Sequence, residues 1–183
     1  MTTRLTLLCH AGTRAMRDGG FPAPDDAIDP ASLRKAEKAA RLADCIVAPE
    51  RAAQQTAAAL SATCRVEPAL RDADHGGWTG QGFAEVHAAS PTAFAAWIAD
   101  PAAGVPGGES FAAVAARVGA WLTLQAMSDS PTTAIAGPSV LRAAIAAALD
   151  LPAASVLRID IAPLTRVTLS YNRGWRLQAI APA

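Results

Sequence analysis

The side chains able to do chemistry fall into a few groups. His10 closes the apolar run Leu5-Thr6-Leu7-Leu8-Cys9 and is followed by a small Ala11-Gly12-Thr13 turn. Asp72, Asp74 and His75 share a Gly-rich loop between Leu70 and Gly80. Arg14 and Arg17 lie within reach of a site at His10, and Arg51 sits at the start of a helix after the second strand. A neutral imidazole can attack or carry a proton, and a carboxyl can donate one. Arginine forks bind anions, although such residues are also ordinary surface charges. His10 reads equally as a hydrogen-bonded histidine at a strand end. Asp72 and Asp74 read also as turn carboxylates, His75 as a turn residue and His87 as a surface residue.

Other chemistries fit less well. Cys9 and His10 are adjacent on a strand and point to opposite faces, which argues against a shared metal site with Asp72 and His75 and against Cys9 as a nucleophile. Gly137-Pro138-Ser139 lacks the Gly-x-Ser-x-Gly elbow of serine hydrolases. No metal or cofactor is expected.

The elements that position these groups alternate between strand and helix. Leu5–Cys9 is apolar on both faces, as in a central strand covered by helices. Residues 14–30 read as loop and turn, punctuated by glycines and prolines. Asp29-Pro30 starts a helix to about Ala43. Residues 44–48 form a short buried strand, and Pro49-Glu50 opens a helix with Ala53, Ala57 and Leu60 on its apolar face. A short strand over 64–67 precedes the Gly-rich loop, and two helical pieces meet near Ser90-Pro91. Phe111, Val114, Ala115, Val118, Trp121 and Leu122 mark the clearest helix. Thr132–Ala136 is a buried strand running into a helix that ends at Leu149. Strands are expected around 156–161, 166–171 and 175–180, the last two joined through Asn172-Arg173-Gly174.

This pattern predicts one domain over residues 1–183: an α/β fold, a three-layer α/β/α sandwich with a mainly parallel mixed central sheet. Strand ends after His10, Ala48 and Ala136 lead into turns or helix starts, whose free N–H groups make an anion-friendly cleft.

Composition narrows the function classes. The 183 residues carry 16 basic and 16 acidic side chains, so no strong field for nucleic acid or membrane is expected. Apolar runs fall short of a membrane span and the first residues do not resemble a signal peptide, so a cytoplasmic location is expected. Cys9, Cys45 and Cys64 read as buried free thiols. Oligomeric state is left open.

Several motifs resemble the histidine phosphatase (phosphoglycerate mutase-like) superfamily, in the usual order over most of the chain. Cys9-His10-Ala11 is similar to its Arg-His-Gly signature. Residues 48–57 resemble Ser-Pro-x-x-Arg-Ala-x-Gln-Thr-Ala, with Pro49, Gln55, Thr56 and Ala57 matching. Residues 70–80 resemble Leu-x-Glu-x-x-x-Gly-x-Trp-x-Gly, Gly107-Gly108-Glu109-Ser110 matches a Gly-Gly-Glu-Ser helix start, and residues 136–142 resemble Ser-His-Gly-Gly-Val-Ile-Arg. The resemblance implies phosphoryl transfer through a phosphohistidine, with His10 as nucleophile and Asp72 in the position of the acid. It also implies that His75 faces the ligand, and it adds Glu109 to the ligand-binding set.

The departures matter as much. Cys9 replaces the signature arginine, Ala52 the second phosphate-binding arginine, and Gly137 the second histidine. Arg51 is one residue away but about 100° around the helix. Losing one preorganised donor typically costs ~3–4 kcal/mol of transition-state stabilisation. The expectation is therefore a divergent member with impaired or altered catalysis, a pseudoenzyme that binds a small phosphorylated ligand or a protein partner. The alternative is an active phosphomonoester phosphatase in which Arg14, Arg17, Arg51 or His75 stands in for the missing groups.

Overall fold

The computed structural model describes residues 2–37, 42, 44–128 and 130–182. Six strands form one sheet, ordered β3-β2-β4-β1-β5-β6. They are β1 (Thr3–Cys9), β2 (Asp44–Val47), β3 (Thr63–Val66), β4 (Thr132–Ala136), β5 (Thr165–Tyr171) and β6 (Trp175–Pro182). β1, β2, β3 and β4 are parallel, while β5 and β6 form an antiparallel hairpin beside β1. Helices cover both faces of the sheet, giving the three-layer α/β/α arrangement.

β1 is central because, past Arg4, its run from Leu5 to Cys9 is apolar except for Thr6. Leu5, Leu7 and Cys9 are fully buried and Leu8 nearly so, as befits a strand covered on both faces. Helix α6 (Phe111–Gln125) buries Val114, Val118, Trp121 and Leu122 against α7 (Pro138–Leu149), and α7 crosses β1 and β6. Helix α2 (Pro30–Glu37) packs on α3 (Arg51–Ala59), which lies over β2, β3 and β4. The expected continuation of α2 over 38–41 and 43 lies outside the described residues. Helices α4 (Phe83–Ala89) and α5 (Pro91–Ala99) meet at Ser90, whose following proline fits the first helical position.

Three expectations need correction. Residues 14–30 are not all loop: Arg14–Asp18 form a short helix, α1, because the Thr13 hydroxyl caps the Met16 N–H and Gly19 takes the left-handed conformation at its end. No strand forms at 156–161. Ala153–Val156 is instead a short helix, α8, and no slot is open to the stretch beside β1, which is already flanked by β4 and β5. Cys45 and Cys64 are not free thiols. They stand opposite one another in the β2–β3 register and are joined as a disulfide, leaving Cys9 free and buried.

Among the described residues no helix is long and apolar enough to cross a membrane.

Candidate functional site

The carboxyl ends of β1, β2 and β4 lie side by side. The His10 N–H donates to Ala136 O at 3.0 Å and the Ala48 N–H to Ile135 O at 2.9 Å, so the segments after the three strands start from one level. The turn after β1 is held from outside. The Ala11 N–H donates to the Thr56 hydroxyl at 2.9 Å, and that hydroxyl donates in turn to Ala52 O at 2.7 Å. The Gly12 N–H donates to Ser32 Oγ at 2.6 Å.

This scaffold fixes the His10 ring. The side chain is 5% exposed, and its Nδ1 lies 2.8 Å from Ala11 O. A carbonyl oxygen only accepts, so Nδ1 carries a proton and Nε2 is the lone-pair nitrogen of the neutral ring. Among the described residues Nε2 has no hydrogen-bond partner. Neighbouring Cys9 is on the other face of the strand, where burial pushes its thiol up to about 12 and leaves it unreactive.

Asp72 forms the opposite wall. Its N–H donates to Glu50 Oε1 at 3.0 Å, and its Oδ1 accepts the Ala73 N–H at 2.9 Å and the Ser139 hydroxyl. Its carboxylate lies directly over Gly137: a Cβ there would be 2.6 Å from Asp72 Oδ2 and 2.9 Å from Cγ. The carboxylate fills the room that a side chain at 137 would take. Glu50 stands beside it, at the start of α3. Its Oε2 is buried with no partner, and burial pushes its carboxyl above the usual range against the pull of the Asp72 N–H.

Glu109 organises this wall from behind. It accepts Arg117 Nη2 at 2.9 Å and Arg71 Nη2 at 2.9 Å, and Arg117 Nη1 also holds Ala69 O and Arg71 O at 2.8 and 2.9 Å. Burial works to raise the Glu109 carboxyl, but the Arg117 hydrogen bond and charge, the Asp74 N–H and Arg71 hold it below its ordinary value. The 74–76 and 105–108 segments run backbone against backbone, with Gly77 N–H on Pro106 O at 3.0 Å and Glu109 N–H on Asp74 O at 2.7 Å. A Cβ on Gly76 or Gly108 would strike the facing main chain, which accounts for both glycines.

Two cavities meet at His10, sharing Pro22, Asp72, Ala73 and His75. The smaller, about 270 Å³, is lined by Asp26, Glu50, Asp72 and Asp74, with Arg71 as its cation. The larger, about 490 Å³, runs past Met16, Phe83, Trp97, Ile98 and Phe111 to Ser139 and Arg142. His75 packs edge-on to Phe21 with ring centroids 5.1 Å apart, and burial lowers its pKa against the charges of Asp72 and Asp74, favouring the neutral ring.

The structure thus brings His10, Asp72, Asp74 and His75 together, with Glu109 lining the larger cavity. It places the three sequence-selected arginines elsewhere. Arg14 binds Asp18, Arg17 binds Asp18 and Asp29, and Arg51 reaches Asp25 O at 3.4 Å; none of them lines either cavity. Sequence reasoning passed over Glu50 and Ser139 as site residues, and met Arg142 only as the last position of a motif match. Arg142 Nε holds Ile159 O at 2.7 Å, and the residue also lines the larger cavity, its pKa lowered by burial against the charges of Asp160 and Asp72. The signal for Glu50 was its position just after a strand end. Among the described residues, no group of three or more His, Cys, Asp or Glu side chains is arranged to hold a metal ion.

Comparison with known proteins agrees with this geometry. Mycobacterial glucosyl-3-phosphoglycerate phosphatase complexed with VO3 is 26% identical, with a TM-score of 0.86 over 98% of this chain and 99% of that one. The native form of that enzyme superposes with a TM-score of 0.84 over 100% of both chains at 24% identity. The alpha-ribazole phosphatase from Shigella flexneri shares the fold at 19% identity, with a TM-score of 0.82 over 97% of this chain and 96% of that one. No curated protein matches in sequence. The family model for the histidine phosphatase superfamily (branch 1) matches residues 5–181. With His10 at the end of the central strand and the fold shared throughout, this chain belongs to branch 1 of the histidine phosphatase superfamily.

Proposed function

We propose that this protein uses the histidine phosphatase fold to bind a ligand, with phosphoryl transfer impaired. The observation that carries the reading is the Asp72 carboxylate seated over Gly137. Phosphoryl transfer needs cations or N–H donors around the equatorial oxygens. Here a carboxylate occupies that wall, with Asp26, Glu50 and Asp74 around the same cavity. Two unit charges about 4 Å apart interact by roughly 4 kcal/mol at an effective dielectric near 20. Repulsion of that size is comparable to the loss of a preorganised donor and adds to it. Arg71, the cation of the smaller cavity, is already engaged by Glu109.

A second reading keeps catalysis. His10 holds the tautomer that in-line attack requires, with Nδ1 donating to Ala11 O and Nε2 free. Attack by the Nε2 lone pair would form the N–P bond as the P–O bond to the alcohol breaks, and the departing oxygen would take its proton from the Asp72 carboxyl, leaving phosphohistidine and a carboxylate. The similar solved structures include phosphatases. In this reading Arg142, half-buried on the larger cavity, supplies the charge that Arg14, Arg17 and Arg51 do not bring.

Phosphate release from a panel of phosphomonoesters separates the two. Wild type and His10→Ala are compared from mildly acidic to neutral pH. Equal background from both proteins is the expected result. Turnover by the wild type that His10→Ala abolishes would overturn impairment and establish the second reading.

A further inference from the structure

Among the described residues eight large apolar side chains are exposed, and three of them, Phe83, Ile98 and Leu157, line the larger cavity beside His10. They come from the start of α4, from α5 and from the residue that ends α8, and are 36%, 58% and 37% exposed. Three elements distant in sequence thus bring apolar surface to one cavity. Exposed apolar surface gathered at a concave site marks a place that something apolar covers. Met16, Trp97 and Phe111 continue the same lining. At about 490 Å³ the space takes a body of one or two rings, or a chain of similar bulk.

Several polar groups on this lining are already taken. The Ser139 hydroxyl donates to Asp72, Glu109 accepts Arg117 and Arg71, and Asp100 Oδ1 accepts the Ala102 N–H at 2.8 Å. Arg142 differs. It follows Ser139 by three residues on α7, which puts the two side by side on the helix, and it is half-buried. Its one hydrogen bond among the described residues runs from Nε to Ile159 O, which leaves both Nη groups without a partner there. No described carboxylate forms an ion pair with it. An arginine cannot shed its charge to escape burial. What it lacks is an anion, and a flat carboxylate matches its fork through two parallel hydrogen bonds. A doubly charged phosphate would face Asp72 and Asp100 on the same lining, with Arg142 as the single arginine or lysine to balance it.

We infer that the larger lobe of the His10 pocket binds an amphipathic carboxylic acid, its aryl or alkyl body against Phe83, Trp97, Ile98 and Leu157 and its carboxylate on the Arg142 fork. This rests on the reading of the pocket as a ligand site with phosphoryl transfer impaired.

Calorimetric titration of the intact protein at neutral pH tests it, with 1-naphthaleneacetate as the probe and 2-(1-naphthyl)ethanol, acetate and 1-naphthyl phosphate beside it. The naphthyl acid is expected to bind saturably at one site. The alcohol should bind roughly 10- to 100-fold more weakly for want of the charge-assisted pair, and acetate not at all. Added salt should weaken the acid and not the alcohol, a readout in the wild type that needs no variant. Ile98→Asn, at an exposed position, should weaken acid and alcohol alike, and Arg142→Gln should bring the acid down to the level of the alcohol. Equal wild-type affinities for acid and alcohol, or an acid affinity untouched by Ile98→Asn or by Arg142→Gln, overturns the assignment. Tighter binding of the naphthyl phosphate than of the acid also overturns it. Hydrolysis of that phosphate by the wild type and not by His10→Ala overturns the ligand-site reading, and this inference with it. Binding of no probe, with phosphate release at background, overturns this inference alone.

Discussion

The Asp72 carboxylate and the Cα of Gly137 share one space: a Cβ at 137 would sit 2.6 Å from Asp72 Oδ2. Two positions distant in sequence are therefore a single packing unit. Gly137→Ala should destabilise the protein by about 1–3 kcal/mol through overpacking. In an Asp72→Ala background the same substitution should cost almost nothing, because the obstacle is gone. Urea unfolding of the four proteins in the cycle measures this, and an equal cost in both backgrounds would break the link.

Thr56 is fully buried and its hydroxyl joins the Ala11 N–H to Ala52 O. Thr56→Val strands the Ala11 N–H, while Ala52 O keeps its helical bond to the Thr56 N–H, and should lose about 1–3 kcal/mol, whereas Thr56→Ser should lose far less. Because Ala11 O holds the His10 ring, the valine variant should also shift the His10 ring resonances. Valine and serine variants of equal stability would refute the role.

Glu50 gives a pH signature. Its folded pKa is raised above the ordinary 4.5, chiefly by burial. Between the unfolded and folded values the folded chain holds the proton that the unfolded chain has lost, so stability falls as pH rises through that window. Glu50→Gln removes this slope. Its stability relative to wild type should therefore increase from pH 4 to pH 7, read by urea midpoints; a constant difference contradicts the raised value.

Glu109 should slope the other way. Its folded pKa is lowered by Arg117, the Asp74 N–H and Arg71 acting against burial. The stability it lends is present above the unfolded value of 4.5 and disappears as pH falls through the lower folded one. Glu109→Gln should be less stable than wild type at pH 7, with the gap closing in acid. A gap that persists at the lowest pH would assign the loss to packing instead.

Cys45 and Cys64 are 19 positions apart in the chain. A crosslink closing a loop of this length typically contributes about 3 kcal/mol. Unfolded protein should show one reactive thiol before reduction and three after it, and the reduced form should melt lower. Three thiols without reductant would remove the crosslink from the account.

Much of the fold was legible because local and global signals agreed. β1 and its terminal His10 followed from an unbroken apolar run, and α6 from a stripe of Val, Trp and Leu at helical spacing. The stretch 156–161 misled because Leu157, Ile159 and Ile161 alternate like a strand, and only the sheet order reveals that no slot exists beside β1. Arg14, Arg17 and Arg51 misled for another reason. Nearness in sequence says nothing of which partner a long flexible side chain takes: Arg14 and Arg17 pair with Asp18 and Asp29, and Arg51 reaches Asp25 O. Glu50 carried only its place just after a strand end, because the loop that buries it, through the Asp72 N–H, arrives from 22 positions away.

The glycine crossing at 76 and 108 divides the pocket into walls of unequal evolutionary latitude. On that side, main chain is fastened to main chain and Glu109 clamps the result to α6, so a change of shape there must alter several residues together. The facing wall, Pro22 to Asp26, is a short loop steadied through Phe21 and its ring contacts with His75, Trp78, Phe83 and Trp97. Insertions or substitutions in it leave β1, Asp72 and α6 untouched. A change in that loop alters the rim of the pocket while His10 stays in place behind it.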